Sequence, residues 1–212
     1  MLMMMVSVCS VWGQSNNNYS GPTLEKMIVE ACYNRVNPNI TYDAGYCKID
    51  YPMGDVPADR GCCSDAVIRV LRDIGIDLQE MVHKDIMLGT RPLLACPDSV
   101  WANPYKNIKP DTNIDHRRVW TLLKFFRIQN RQYASPLFRT CKINKPLRPG
   151  TIVIWELWPG QGHIGIVVDG ENVFHQIGYG QEISEDLHSY KIVAAFAIFG
   201  PVYNDLIKEI YE

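Results

Sequence analysis

Cys63-Ser64-Asp65-Ala66-Val67-Ile68-Arg69-Val70-Leu71-Arg72-Asp73-Ile74-Gly75 is the stretch on which the fold turns. Val67, Val70, Leu71 and Ile74 stand at i, i+3, i+4 and i+7, the apolar stripe of an amphipathic helix. Gly75 suits the left-handed residue that closes such a helix. The helix therefore opens on a thiol. A sulfur there meets unpaired backbone N–H groups and the positive end of the helix dipole, and both favour the thiolate. Far downstream, two histidines sit on apolar stretches that read as strands. They are His163 in Gly162-His163-Ile164-Gly165-Ile166-Val167-Val168-Asp169 and His175 in Val173-Phe174-His175-Gln176-Ile177. A thiol, an imidazole to take its proton and a second polar group to orient that imidazole make a nucleophilic constellation.

Working outward, Leu24, Met27, Ile28 and Ala31 predict a first helix over about 23–35, with Pro22 just before it. Residues 36–62 are rich in Pro and Gly and read as a long ordered loop leading into Cys63. A helix follows over 78–87, a second loop over 89–113, and a helix over 115–128 with Val119, Leu122, Leu123 and Phe126 inward. From Pro149 the pattern changes. Thr151–Trp155, Ile164–Val168, Val173–Ile177 and Ile192–Phe199 are short, apolar and rich in β-branched residues. Helices first and strands later predict an α+β fold, a helical half packed on an antiparallel sheet. The nucleophile then lies on the helical half and the base on the sheet. Register adds a constraint, because side chains alternate faces along a strand. A plain two-residue turn from Asp169 to Asn172 puts His163 and His175 on opposite faces. An odd-length connection or one bulge puts them on the same face.

The chain has 212 residues, 47% hydrophobic and 21% charged, with a net charge of −2. That is an ordinary globular balance, with no basic patch to suggest a nucleic-acid partner. Residues 1–13 are apolar and uncharged, too few to span a bilayer as a mature helix. The polar run Gln14-Ser15-Asn16-Asn17-Asn18 follows. This reads as a signal peptide over 1–13, with Val11 and Gly13 at the cleavage positions and a polar linker over 14–22. No Lys or Arg precedes the apolar run. The remainder, 23–212, reads as one domain, expected to be exported to the periplasm or beyond, monomeric and without a membrane span once the signal is removed. Cys32, Cys47, Cys96 and Cys141 allow two disulfides in any of three connectivities, and Cys62 reads as a small buried hydrophobe. No C-x-x-C spacing points to structural zinc.

Several longer stretches carry a resemblance. They include Thr41-Tyr42-Asp43, Arg60-Gly61-Cys62-Cys63-Ser64-Asp65, Asn113-Ile114-Asp115-His116-Arg117-Arg118-Val119, His163-Ile164-Gly165-Ile166-Val167 and His175-Gln176-Ile177-Gly178. On these the chain resembles the bacterial family known as domain of unknown function 1287, over about 40–199. That family is placed in the NlpC-type, papain-like cysteine peptidase superfamily. The resemblance implies a papain-like fold and a Cys-His-His triad in which Cys63 attacks, His163 is the base and His175 orients it. It implies that Tyr51 corresponds to an aromatic residue lining the substrate cleft. Cys62 stands where valine is common in the family, and Gln176 where asparagine is usual. Asp115-His116-Arg117-Arg118 is a family signature. It reads either as a helix start with surface ion pairs or as an arginine fork, Arg117 or Arg118, for a substrate carboxylate.

The expectation is an exported cysteine hydrolase that cleaves an amide bond in peptidoglycan peptide, with no metal or organic cofactor. Three rival readings fit the same residues. An acyltransferase shares the same acyl-enzyme. A cell-wall binding module uses the fold without chemistry. A metal site draws on His163, His175 and a cysteine.

Overall fold

A computed structural model describes residues 23–89, 108–132 and 137–199. The apolar N-terminal stretch, the polar linker, Cys96 and the residues after 199 lie outside the described residues. In chain order the elements are α1 (Leu24–Asn34), β1 (Asn37–Tyr42), β2 (Arg60–Gly61), α2 (Cys63–Asp73), α3 (Leu78–Gly89), a 3-10 turn (Asp115–Arg117), α4 (Val119–Gln132), β3 (Phe138–Thr140), β4 (Ile152–Trp158), β5 (Gln161–Asp169), β6 (Asn172–His175), β7 (Tyr179–Ser184) and β8 (Lys191–Ile198). The strands form one sheet in the order β2-β1-β7-β6-β5-β4-β8-β3. The fold is α+β. The sheet is mixed rather than purely antiparallel, because β1 and β2 run parallel.

The expected helices are present, with informative differences at their ends. Thr23 caps α1 by accepting the Lys26 N–H. Gly75, at φ +86°, closes α2, with the Ile76 N–H reaching back to the Leu71 carbonyl at 2.9 Å. That is the bond pattern a left-handed terminal glycine permits. The α2 helix is buried all along Cys63–Leu71 and not only on its apolar stripe. Its polar members are matched inside the protein. Arg69 donates to the Arg60, Val56 and Pro57 carbonyls and to Asp55, and Arg72 donates to the Gly54 carbonyl at 2.8 Å. These two side chains satisfy the carbonyls of the loop before α2, which orders a segment with little regular structure of its own. The helix predicted from Asp115 is divided. Asp115–Arg117 forms the 3-10 turn, Arg118 is extended, and the α-helix starts at Val119.

The sheet has an apolar layer on each face. Ile152, Ile154, Ile164, Ile166, Val168, Phe174 and Phe196 pack toward the helices, with Val67, Val70 and Leu71 of α2 in the same cluster. Val153, Trp155, Val167, Val173 and Ala195 share the other face with Leu187. The β5–β6 hairpin decides where the histidines point. Asp169 does pair with Asn172, but the register slips between Val167 and Asp169, so Val168 is an extra residue. Val167 then faces Val173, Ile166 faces Phe174, and His163 and His175 fall on one face beside Trp155. The residue opposite His175 is Gly165, and a Cβ there would lie 2.7 Å from the Phe174 carbonyl oxygen and 3.0 Å from His175 Cβ. Gly165→Ala is expected to destabilise the protein by about 1–3 kcal/mol, read as a lowered urea midpoint at unchanged m-value. An unaltered midpoint would contradict this packing.

Candidate functional site

Three adjacent strands each contribute one side chain to a single row. His163 Nε2 lies 2.8 Å from His175 Nδ1, and His175 Nε2 lies 2.7 Å from Ser184 Oγ. The two imidazoles meet edge to face, with ring centroids 5.1 Å apart. The Trp155 ring packs against His163, and the indole N–H is held by the Leu187 carbonyl. Both histidines are almost wholly buried. Burial, then the neighbouring His175, pulls the His163 pKa down to about 3, against a smaller upward pull from Asp186. Burial likewise lowers His175. Both rings are therefore neutral near pH 7. With Nε2 committed to His175, Nδ1 is the His163 nitrogen left for a thiol or a substrate.

Cys63 is the first residue of α2 and is buried. Its sulfur faces the Ile164 backbone N–H and the Tyr42 hydroxyl. The strand ladder explains the first contact. Val167 exchanges backbone bonds with the β4 side through Thr151 and Gly150, so by alternation the Ile166 and Ile164 N–H groups point toward β6. The β5–β6 pairing ends at Ile166 and Phe174. Beyond that point the Cys63 sulfur occupies the partner's place, one peptide unit from His163. Among the described residues no hydrogen bond joins Cys63 to the His163 ring. Two effects favour the protonated thiol. The adjacent Cys62 sulfur, and then burial, push the Cys63 pKa well up. The helix start favours the thiolate, and the Cys62 sulfur and burial oppose it.

Cys62 has a separate task. It is the N-cap of α2, its sulfur accepting the Asp65 N–H while its own N–H donates to Asp65 Oδ2 at 2.8 Å. The Ser64 hydroxyl donates to the Arg117 carbonyl at 2.7 Å, so the Cys62 thiol, 3.1 Å away, is the donor to Ser64 Oγ. It is a capping group and not only a small hydrophobe. Cys32, Cys47, Cys62, Cys63 and Cys141 are free thiols. Cys32 lies in the core, where burial raises it to about 12.

The remaining predicted residues are Arg117, Arg118 and Tyr51. Arg117 is buried and bonds bidentately to Asp65, at 2.7 and 2.9 Å, and also donates to the Gly45 and Asp43 carbonyls. Its guanidinium is thus engaged inside the protein, which favours the structural reading of the signature. Arg118 is half-exposed and pairs with Asp115 at 3.4 Å. Tyr51 packs edge-on against His83 of α3, centroids 5.2 Å apart, and its hydroxyl titration responds to burial and then to Glu80 and Lys84. The tyrosine at the Cys63 sulfur is instead Tyr42, at the end of β1. It belongs to Thr41-Tyr42-Asp43, where nothing in the spacing singles it out. Among the described residues no cluster of three or more His, Cys, Asp or Glu is arranged to hold a metal ion. No described helix is long and apolar enough to cross a membrane.

The fold is α+β, with a buried helix-start thiol facing the Ile164 N–H and a bonded histidine pair on β5 and β6. The family is shown by sequence: the chain belongs to the domain of unknown function family DUF1287, whose model matches residues 29–198. It is 35% identical over 178 residues to the uncharacterized protein YijF of Escherichia coli strain K12, a match covering 81% of this chain and 80% of that relative. Cys63, His163, His175 and Ser184 all fall inside the matched region.

The Asp65–Arg117 pair generates a stability prediction. Burial raises Asp65, but the Arg117 guanidinium and the Cys62 N–H outweigh it, and the carboxyl ends below its ordinary 3.8. Asp65→Asn strands a buried guanidinium and should cost about 3–5 kcal/mol. Because the folded value is depressed, the pair's contribution is full above the unfolded value. It is lost as pH falls through the folded one. The gap between parent and variant in urea melts should therefore narrow as pH drops below about 4. A gap independent of pH would contradict the ionised pair.

Proposed function

We propose that this protein is a cysteine hydrolase of the NlpC-type, papain-like kind, attacking an amide bond through Cys63. The observation that carries the reading is the 2.8 Å bond between His163 Nε2 and His175 Nδ1. It orients a neutral imidazole with Nδ1 unengaged, one peptide unit from a helix-start thiol. In this reading Cys63 turns from the Ile164 N–H toward Nδ1 and gives it the thiol proton as the sulfur attacks the substrate carbonyl. Resting catalytic contacts commonly tighten only when substrate binds. The Cys63 and Ser64 N–H groups, at the first two helical positions, have no intrahelical acceptor. They are suited to the oxyanion of the tetrahedral intermediate. His163 then passes the proton to the leaving amine, and the acyl group stays on Cys63. Water releases it, losing a proton to His163, and the thiol is restored. Peptidoglycan peptide is the proposed substrate, on the strength of the superfamily resemblance, and export to the periplasm or beyond accords with it.

Incubation with purified peptidoglycan fragments and mass spectrometry of the products tests the proposal. A new free amine and carboxylate are expected. Cys63→Ala should abolish them, His163→Ala should slow release about 100-fold or more, and Cys62→Val should retain turnover. Loss with Cys62→Val and retention with Cys63→Ala would reverse the assignment. The pH profile is distinctive. Because burial holds His163 near 3, the base is already neutral at pH 5, and kcat/KM should show no acid limb near pH 6–7. A limb there would mean a resting imidazolium.

A further inference from the structure

The hydrogen-bond chain does not stop at His175. His175 Nε2 meets Ser184 Oγ at 2.7 Å, Ser184 Oγ meets Asp186 Oδ2 at 2.6 Å, and Asp186 Oδ1 accepts the Ser189 hydroxyl at 2.7 Å. Asp186 Oδ2 also lies 3.6 Å from His175 Nε2. We propose that Ser184 and Asp186 are positioning residues that fix the protons on both histidines, leaving the lone pair of His163 on Nδ1. Asp186 is partly exposed, and its carboxyl is held below its ordinary value by the Ser184 and Ser189 hydroxyls. It is ionised at neutral pH and only accepts. The single Ser184 proton is therefore directed to Asp186, and Ser184 Oγ receives the proton of His175 Nε2. The lone pair of His175 then lies on Nδ1 and accepts the proton of His163 Nε2. His163 is left with Nδ1 bare, the form in which a neutral imidazole takes a proton. One register places the row. Val173 pairs with Ser184 and His175 with Glu182, so Ser184 shares a face with His175, while β5 brings His163 to the same face.

The significance for turnover rests on the hydrolase reading, but the proton assignment does not. Nitrogen-15 NMR of histidine-labelled full-length protein at pH 7 reads it directly, without substrate. The expected result is a proton on Nε2 and a bare Nδ1 for both His163 and His175. In Ser184→Ala the single form of His175 should give way to a mixture of both tautomers, and alkylation of Cys63 by iodoacetamide should slow about tenfold or more. Ser184→Thr, which keeps the hydroxyl, should restore both readouts, a rescue that a purely packing role would not predict. A proton on His175 Nδ1 in the unaltered protein, or an unchanged tautomer in Ser184→Ala, would overturn the proposal. If the tautomers are as stated and no peptide is cleaved, the hydrolase reading fails and the relay stands.

Discussion

One extra residue in a hairpin governs this site. Without the bulge at Val168, the β5–β6 register would turn His163 and His175 to opposite faces, because side-chain direction alternates with every residue. With it, a bond forms between the rings, and the same register carries the row on to Ser184 in β7. Gly165 is the complement of the bulge. It stands opposite His175, where any side chain would press on the Phe174 carbonyl oxygen and the His175 Cβ. A register choice, a glycine and three parallel-facing side chains are thus one device.

Burial then decides the electrostatics. The helix start favours a thiolate, yet the Cys62 sulfur and desolvation raise Cys63, and desolvation lowers His163. These shifts favour a neutral thiol and a neutral base. Such a pair moves its proton during attack, so the direction of the base's lone pair matters more than its charge. The same economy of buried polar groups explains Arg117 and Asp65, which lock the α2 start to the 43–45 loop, and Cys62, which serves the helix as its cap.

Much of this was legible in the sequence where one periodicity dominates. The α2 helix followed from its apolar spacing, and the β4, β5, β6 and β8 strands from runs of β-branched residues. The need for a bulge or an odd connection followed from alternation alone, though not its place at Val168. β1 was hidden because only Ile40 of its six residues is buried and Pro38 interrupts it. β7 was hidden because Gly180 adopts φ +70° within it. Arg117 resembled a substrate reader, since a sequence does not reveal that Asp65, far earlier in the chain, would meet it in the interior. Tyr42, Ser184 and Asp186 carried no local signal. Their roles arise from strand pairing across the sheet, which single-sequence patterns do not encode.

The most direct test of the central claim is to catch the acyl group on the sulfur. Rapid acid quench of the protein with an activated acyl-amide peptide, followed by peptide mapping, should find the acyl mass on Cys63 and none on Cys62. Replacing His163 should remove the adduct while leaving the protein folded. An adduct on Cys62, or no covalent species under conditions in which substrate is consumed, would contradict the account.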